Sequence, residues 1–197
     1  TAVTLNYTSA IFLAIFLVLA GMRPSVGTFG ALLVGLAGVG LLLRPSLHGD
    51  QLLAGLIGLA SGVLAGMAYF SVRELGARGE PETRTVFYFS LVSSVGAGFW
   101  LLFSEIHRVD LHSGLLLLGV AAFATGAQLA MTRAFSGTHT LLAAALAYST
   151  VIFSSLFAAF LWGETHDGWA WLGIALIVVS GLASTHFARH SARPAPD

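Results

Sequence analysis

The sequence predicts an all-α, polytopic membrane protein, with seven transmembrane helices in a partial inverted-repeat bundle. Three observations predict it. Hydrophobic residues make up 56% of the 197 residues and charged residues 9%, against roughly a quarter charged in ordinary soluble domains. Lipid must therefore be the solvent for most side chains. Seven apolar stretches approach the roughly 20 residues that a bilayer-crossing helix needs. Finally, two stretches about 140 residues apart repeat one pattern. Leu5-Asn6-Tyr7-Thr8-Ser9-Ala10-Ile11-Phe12, running on to Gly21-Met22-Arg23, is echoed by Leu146-Ala147-Tyr148-Ser149-Thr150-Val151-Ile152-Phe153, running on to Gly163-Glu164-Thr165. Internal repeats in a very apolar chain are the trace of transporters built from two related halves.

The stretches are Ala2–Ala20, Gly27–Leu43, Leu52–Val72, Val86–Ser104, Leu115–Thr132, Leu141–Trp162 and Trp169–Phe187. Helix is the only assignment open to them, because a spanning segment must satisfy its own backbone groups and the runs are too long for barrel strands. Breakers and charges gather between them, at Arg23-Pro24-Ser25, Arg44-Pro45, Gly79-Glu80-Pro81, Ser136-Gly137-Thr138 and Asp167-Gly168. Asp167 is placed to cap the last helix. In the third stretch Ala54, Gly58, Gly62 and Gly66 recur every fourth residue, a smooth stripe that lets helix backbones approach. Gly35, Gly38 and Gly40 read as helix-packing glycines in lipid and not as a phosphate loop.

Seven crossings put the ends on opposite sides. Arg23, Arg73, Arg78, Arg84, Arg133, Arg189 and Arg193 then share one side, and only Arg44 and Arg108 the other. The positive-inside rule makes the first side cytoplasmic, so the first residue is external and the last cytoplasmic, in a plasma (inner) membrane. Trp100, Trp162, Trp169 and Trp171 all fall at external span ends, where an indole sits well among headgroups.

Composition also excludes functions. A net charge of zero supplies no basic stripe for nucleic acid. No cysteine is present, so neither a disulfide framework nor a thiolate metal site is expected. The pairs His186/His190 and His107/His112 lack acidic or thiol partners, and no HExxH, P-loop or Gly-x-Ser-x-Gly pattern occurs. No metal, no cofactor and no enzyme activity are expected.

The residues from Leu5 to Ser25, from Ala124-Thr125-Gly126-Ala127-Gln128 to Arg133-Ala134-Phe135, and from Tyr148 to Gly163-Glu164 together resemble the EamA-type branch of the drug/metabolite transporter superfamily. The resemblance covers essentially the whole chain. It implies a pair of five-helix repeats, of which this chain would hold the fourth through tenth helices and lack the first three. The end of the first repeat would then occupy residues 1–46, the second repeat 47–188 and a cytoplasmic tail 189–197. The chain has Gly21-Met22 where the family usually has Gly-Glu, a pattern that Gly163-Glu164 keeps.

Polar side chains within spans are the default functional candidates. Thr125, Gln128 and Thr132 share one helix face. The Gln128 amide offers donors and acceptors where water is scarce; an interhelical hydrogen bond is the alternative to solute contact. Tyr7 and Tyr148 hold equivalent places in the repeats, so pseudo-symmetry could bring both phenols to a central cavity, plain packing being the alternative. Asn6 has the same ambiguity. Glu164 and Arg133 stand at the external and cytoplasmic mouths of their spans, as gating or entrance groups or simply as interfacial charges. The candidate solute-binding set is Gln128, Tyr148, Tyr7, Thr125 and Asn6. No Asp, Glu, Lys or Arg lies in mid-span, which favours exchange or facilitated movement over coupling through a buried carboxylate.

The function expected is a membrane carrier of small metabolites or drug-like solutes, an efflux protein working by alternating access between two pseudo-symmetric repeats. The alternative is a truncated or non-transporting membrane subunit that needs the missing helices or a partner. A small-molecule solute and the lipid bilayer are the expected partners. A homodimer, or the missing N-terminal helices, would cover surfaces otherwise left bare.

Overall fold

Helix follows helix throughout the described residues. The structure is a computed structural model and describes residues 6–22, 25–43, 52–103, 110–163 and 167–191. Asn6 is helical, the chain turns at Tyr7 and Thr8, and α1 then runs Ser9–Leu19. Next come α2 (Val26–Leu43), α3 (Leu52–Ala77), α4 (Glu82–Leu101), α5 (Leu111–Ser136), α6 (Thr140–Ala147), α7 (Ser149–Trp162) and α8 (Gly168–Ser191). No strand forms among the described residues. The protein is a polytopic α-helical membrane protein. Among the described residues, four stretches are long and apolar enough to cross a bilayer alone: Gly55–Ala77, Leu111–Ser136, Thr140–Leu161 and Gly168–Phe187.

The helices outrun the apolar stretches from which they were read. α3 continues to Ala77 and α5 starts at Leu111, because caps and hydrogen bonds, not hydropathy, decide where a helix ends. The Asp110 side chain accepts the Ser113 N–H at 3.3 Å and starts α5. Its hydrogen bonds with Ser113 hold that carboxyl below the ordinary range. Asp167 does the same for α8, accepting the Ala170 N–H at 3.0 Å, as its position predicts. Ser25 caps α2 through the Thr28 N–H at 3.1 Å. The sixth predicted span is interrupted at Tyr148, where α6 gives way to α7.

The chain divides into two compact units. The first comprises residues 1–71 and 139–197, so it draws on both ends of the chain. Its centre is the pair α2–α8, which runs antiparallel. Gly27 lies against Phe187, Ala31 against Ser180 and Gly38 against Gly173. A Cβ on Gly38 would fall 2.7 Å from the Gly173 carbonyl oxygen, and one on Gly173 2.7 Å from that of Gly38. Only glycine permits this crossing. Seven residues away on each helix, two turns, the Ser180 hydroxyl donates to the Ala31 carbonyl at 2.7 Å. Between helices in lipid, where no hydrophobic drive exists, close backbone approach and such hydrogen bonds supply the attraction.

α1 and α6 pack on this pair, and α3 approaches α1 closely at Gly66. Gly58, Gly62 and Gly66 of the small-residue stripe are all buried. A Cβ at Gly66 would meet Phe12 Cβ at 2.8 Å and the Ser9 carbonyl oxygen at 2.9 Å. Further along both helices the Phe16 and Phe70 rings meet at a tilt with centroids 6.3 Å apart, so α1 and α3 run parallel. Parallel α1–α3 and antiparallel α2–α8 are the senses that alternating crossings require.

The second unit, residues 72–138, holds the end of α3 with α4 and α5. It is tied at the α3–α4 turn, where Gly79 adopts φ +77° and the Glu80 N–H reaches back to the Leu75 carbonyl at 3.1 Å. Gly76 faces Ser136 without room for a side chain. Val86, Thr132 and Phe135 are buried, while α4 from Phe87 onward and α5 from Leu111 to Ala127 present apolar side chains outward. A soluble protein could not keep such a surface.

Candidate functional site

The repeat motif produces a similar local event twice, one residue later in the first copy than in the second. At Tyr7 and Thr8 the first helix loses its α-helical ladder: the Ile11 N–H turns to the Thr8 carbonyl at 2.9 Å, three residues back instead of four. At Tyr148 the Val151 N–H likewise takes the Tyr148 carbonyl at 3.1 Å. The Ser149 hydroxyl beside it donates to the Leu146 carbonyl at 2.6 Å. Serine and threonine offer the backbone a competing partner, so a Tyr-Thr-Ser or Tyr-Ser-Thr run is a natural place for a helix to slip into a tighter turn. Each motif also ends alike. Gly21 and Gly163 adopt φ +82° and +68°, left-handed values that favour glycine. After Gly21 the Met22 N–H closes on the Leu17 carbonyl at 3.0 Å.

The two breaks meet within the first unit. The Tyr7 and Tyr148 rings stand edge to face, with centroids 6.1 Å apart, and the Tyr148 hydroxyl lies 3.4 Å from the Tyr7 carbonyl oxygen. Their surroundings differ. Tyr148 is 1% exposed, its ring seated on Gly35, where a Cβ would come within 2.5 Å of ring carbon Cδ2 and of the Ser180 hydroxyl. Tyr7 is half-buried. Asn6, one residue before it, donates from Nδ2 to the Ser61 hydroxyl of α3 at 2.7 Å. Asn6, Tyr7 and Ser61 thus form a polar group at the first break, with Tyr148 as its packed backing.

The other candidates lie elsewhere. Thr125, Gln128 and Arg133 belong to α5 in the second unit. The Thr125 hydroxyl donates to its own Ala121 carbonyl at 2.8 Å. Gln128 is half-buried, Thr132 buried and Arg133 exposed in the last turn. Glu164 falls outside the described residues. Ser61, Gly35 and Ser180 were missed by sequence reasoning. Gly35 carried a signal in its Gly-rich run, but nothing in the sequence tied it to Tyr148.

Residues 52–185 match the EamA-like transporter family over most of the chain. The chain belongs to that family. It is 29% identical over 174 residues to the pseudopaline exporter CntI of Pseudomonas aeruginosa (strain UCBPP-PA14), an alignment that covers 88% of this chain and 60% of that exporter. It is 27% identical over 156 residues to an uncharacterized transporter of Helicobacter pylori (strain J99), covering 76% of this chain and 52% of the other. The chain thus spans about three fifths of the length of the exporter it matches. No solved structure matches it.

Proposed function

We propose that this protein is a carrier that moves a small polar metabolite outward across the plasma membrane by alternating access between its two repeats. One observation carries the reading: the matching tyrosines of the two copies meet, each at an interruption of its helix. Interrupted helices at a repeat interface are where transporters of several folds hold their solutes, because freed backbone groups and nearby polar side chains replace water there. Asn6 and Tyr7 are the residues that would contact solute. An amide has two donors and two acceptor lone pairs, so a bond to Ser61 leaves it further capacity. Tyr148 would shape the wall. An exporter among the relatives supports the outward direction. The first residue would lie outside and the last in the cytoplasm, as the arginine distribution indicates.

The test is comparative mass spectrometry of small molecules in the medium of cells producing the protein or its Asn6→Ala and Tyr7→Phe variants. The proposal expects at least one polar metabolite to accumulate outside with the parent protein. It should fall several-fold with the variants at equal amounts in the membrane. Identical media from parent, variants and empty cells would refute it.

A further inference from the structure

The break at Tyr7 leaves a carbonyl without its usual partner. In a continuous helix the Tyr7 oxygen would receive the Ile11 N–H, four residues on, but that N–H goes to Thr8. In lipid an unpaired carbonyl is costly. The group nearest to supplying the missing hydrogen bond comes from the other repeat: the Tyr148 hydroxyl, 3.4 Å away. Its approach is fixed from behind. The ring rests on Gly35, with Ser180 at the same place held to the Ala31 carbonyl. The phenol therefore cannot swing away without α2 and α8 parting, whereas the Tyr7 backbone can move at its turn.

From this we propose that Tyr148 is a positioning residue: its hydroxyl is a latch on the carbonyl freed at the first helix break, and it holds that break in the arrangement seen here. The inference rests on the carrier reading for its purpose, because the latch would fix Asn6 and Tyr7 relative to solute. The bond itself is a matter of geometry alone. At 3.4 Å it is long for a hydroxyl donor, so the latch is weak and suits a hinge that must open in each cycle. Its loss should favour the open arrangement by roughly threefold, the worth of an average interhelical hydrogen bond in membranes.

The chain has no cysteine, so Thr8→Cys provides a unique thiol at the break. The experiment measures its modification rate by a small methanethiosulfonate reagent in the membrane-embedded protein, with and without Tyr148→Phe. That variant keeps the ring on Gly35 and removes only the hydroxyl. Modification should quicken by about threefold, in a protein that still folds. The same change at the exposed Tyr88 should have no effect. An unaltered rate in Tyr148→Phe overturns the latch. So does a Tyr148→Phe protein that fails to fold, since that would make the hydroxyl a structural requirement and not a hinge contact. Tyr7→Phe separates the two proposals: it keeps the carbonyl, so the modification rate should hold while export falls. Faster modification in Tyr148→Phe with export indifferent to Tyr7→Phe would keep the latch and sink the carrier site.

Discussion

The two copies of the tyrosine motif share a pattern and a backbone shape, yet one has become core and the other remains accessible. Both helices slip into a tighter turn at the tyrosine, and both end on a left-handed glycine. Tyr148, however, is sealed against Gly35 and Ser180, whereas Tyr7 is half-buried beside the Asn6–Ser61 pair. The motif encodes the bend and the stop. The neighbouring helix decides what the bend is for, a glycine on α2 offering a seat in one case and a serine on α3 a polar partner in the other.

Substitutions that treat the copies unequally should break this comparison first. Tyr148→Ala empties a sealed site and should cost on the order of 3 kcal/mol, against about half that for Tyr7→Ala, read as the difference in unfolding free energy in detergent. Gly35→Val crowds the Tyr148 ring and should cost about 2 kcal/mol, while Gly30→Val, which points into open space, should fall within about 0.5 kcal/mol of the parent. Changes that treat the copies alike sharpen the comparison. Gly21→Ala and Gly163→Ala each force a Cβ into left-handed backbone and should cost about 1 kcal/mol apiece, by the same melting measurement. Asn6→Ala removes one interhelical hydrogen bond, worth roughly 0.6 kcal/mol. The matching position is Ala147, so that bond has no counterpart in the second copy.

Much of this was legible in the sequence. The apolar runs placed the helices of the described residues, though not the interruption at Tyr148; the repeat left a meeting of Tyr7 and Tyr148 open beside plain packing, and Asp167 was readable as a cap from its place before Gly168. The glycines of α2 and α3 were readable as packing residues, though not as to which partner each would receive. Gly38 meets Gly173, a pairing fixed by the crossing of two helices far apart in sequence. The depth of Tyr148 was not legible either, because burial depends on Gly35, more than a hundred residues away. Asn6 showed its polarity but not Ser61. Periodicity describes one helix at a time, and the candidate site is made by what each helix finds across the gap.

The antiparallel α2–α8 pair underlies the account, since it brings the repeats together and seats Tyr148. Paired cysteines test it directly. Gly27 lies against the Phe187 ring, so cysteines at these two positions face each other across the pair. In this cysteine-free chain, Gly27→Cys with Phe187→Cys should cross-link rapidly under mild oxidant and shift the band on a gel. Gly30→Cys with Phe187→Cys should remain open. Linking of the second pair but not the first would contradict the register, and with it the meeting of the two tyrosines.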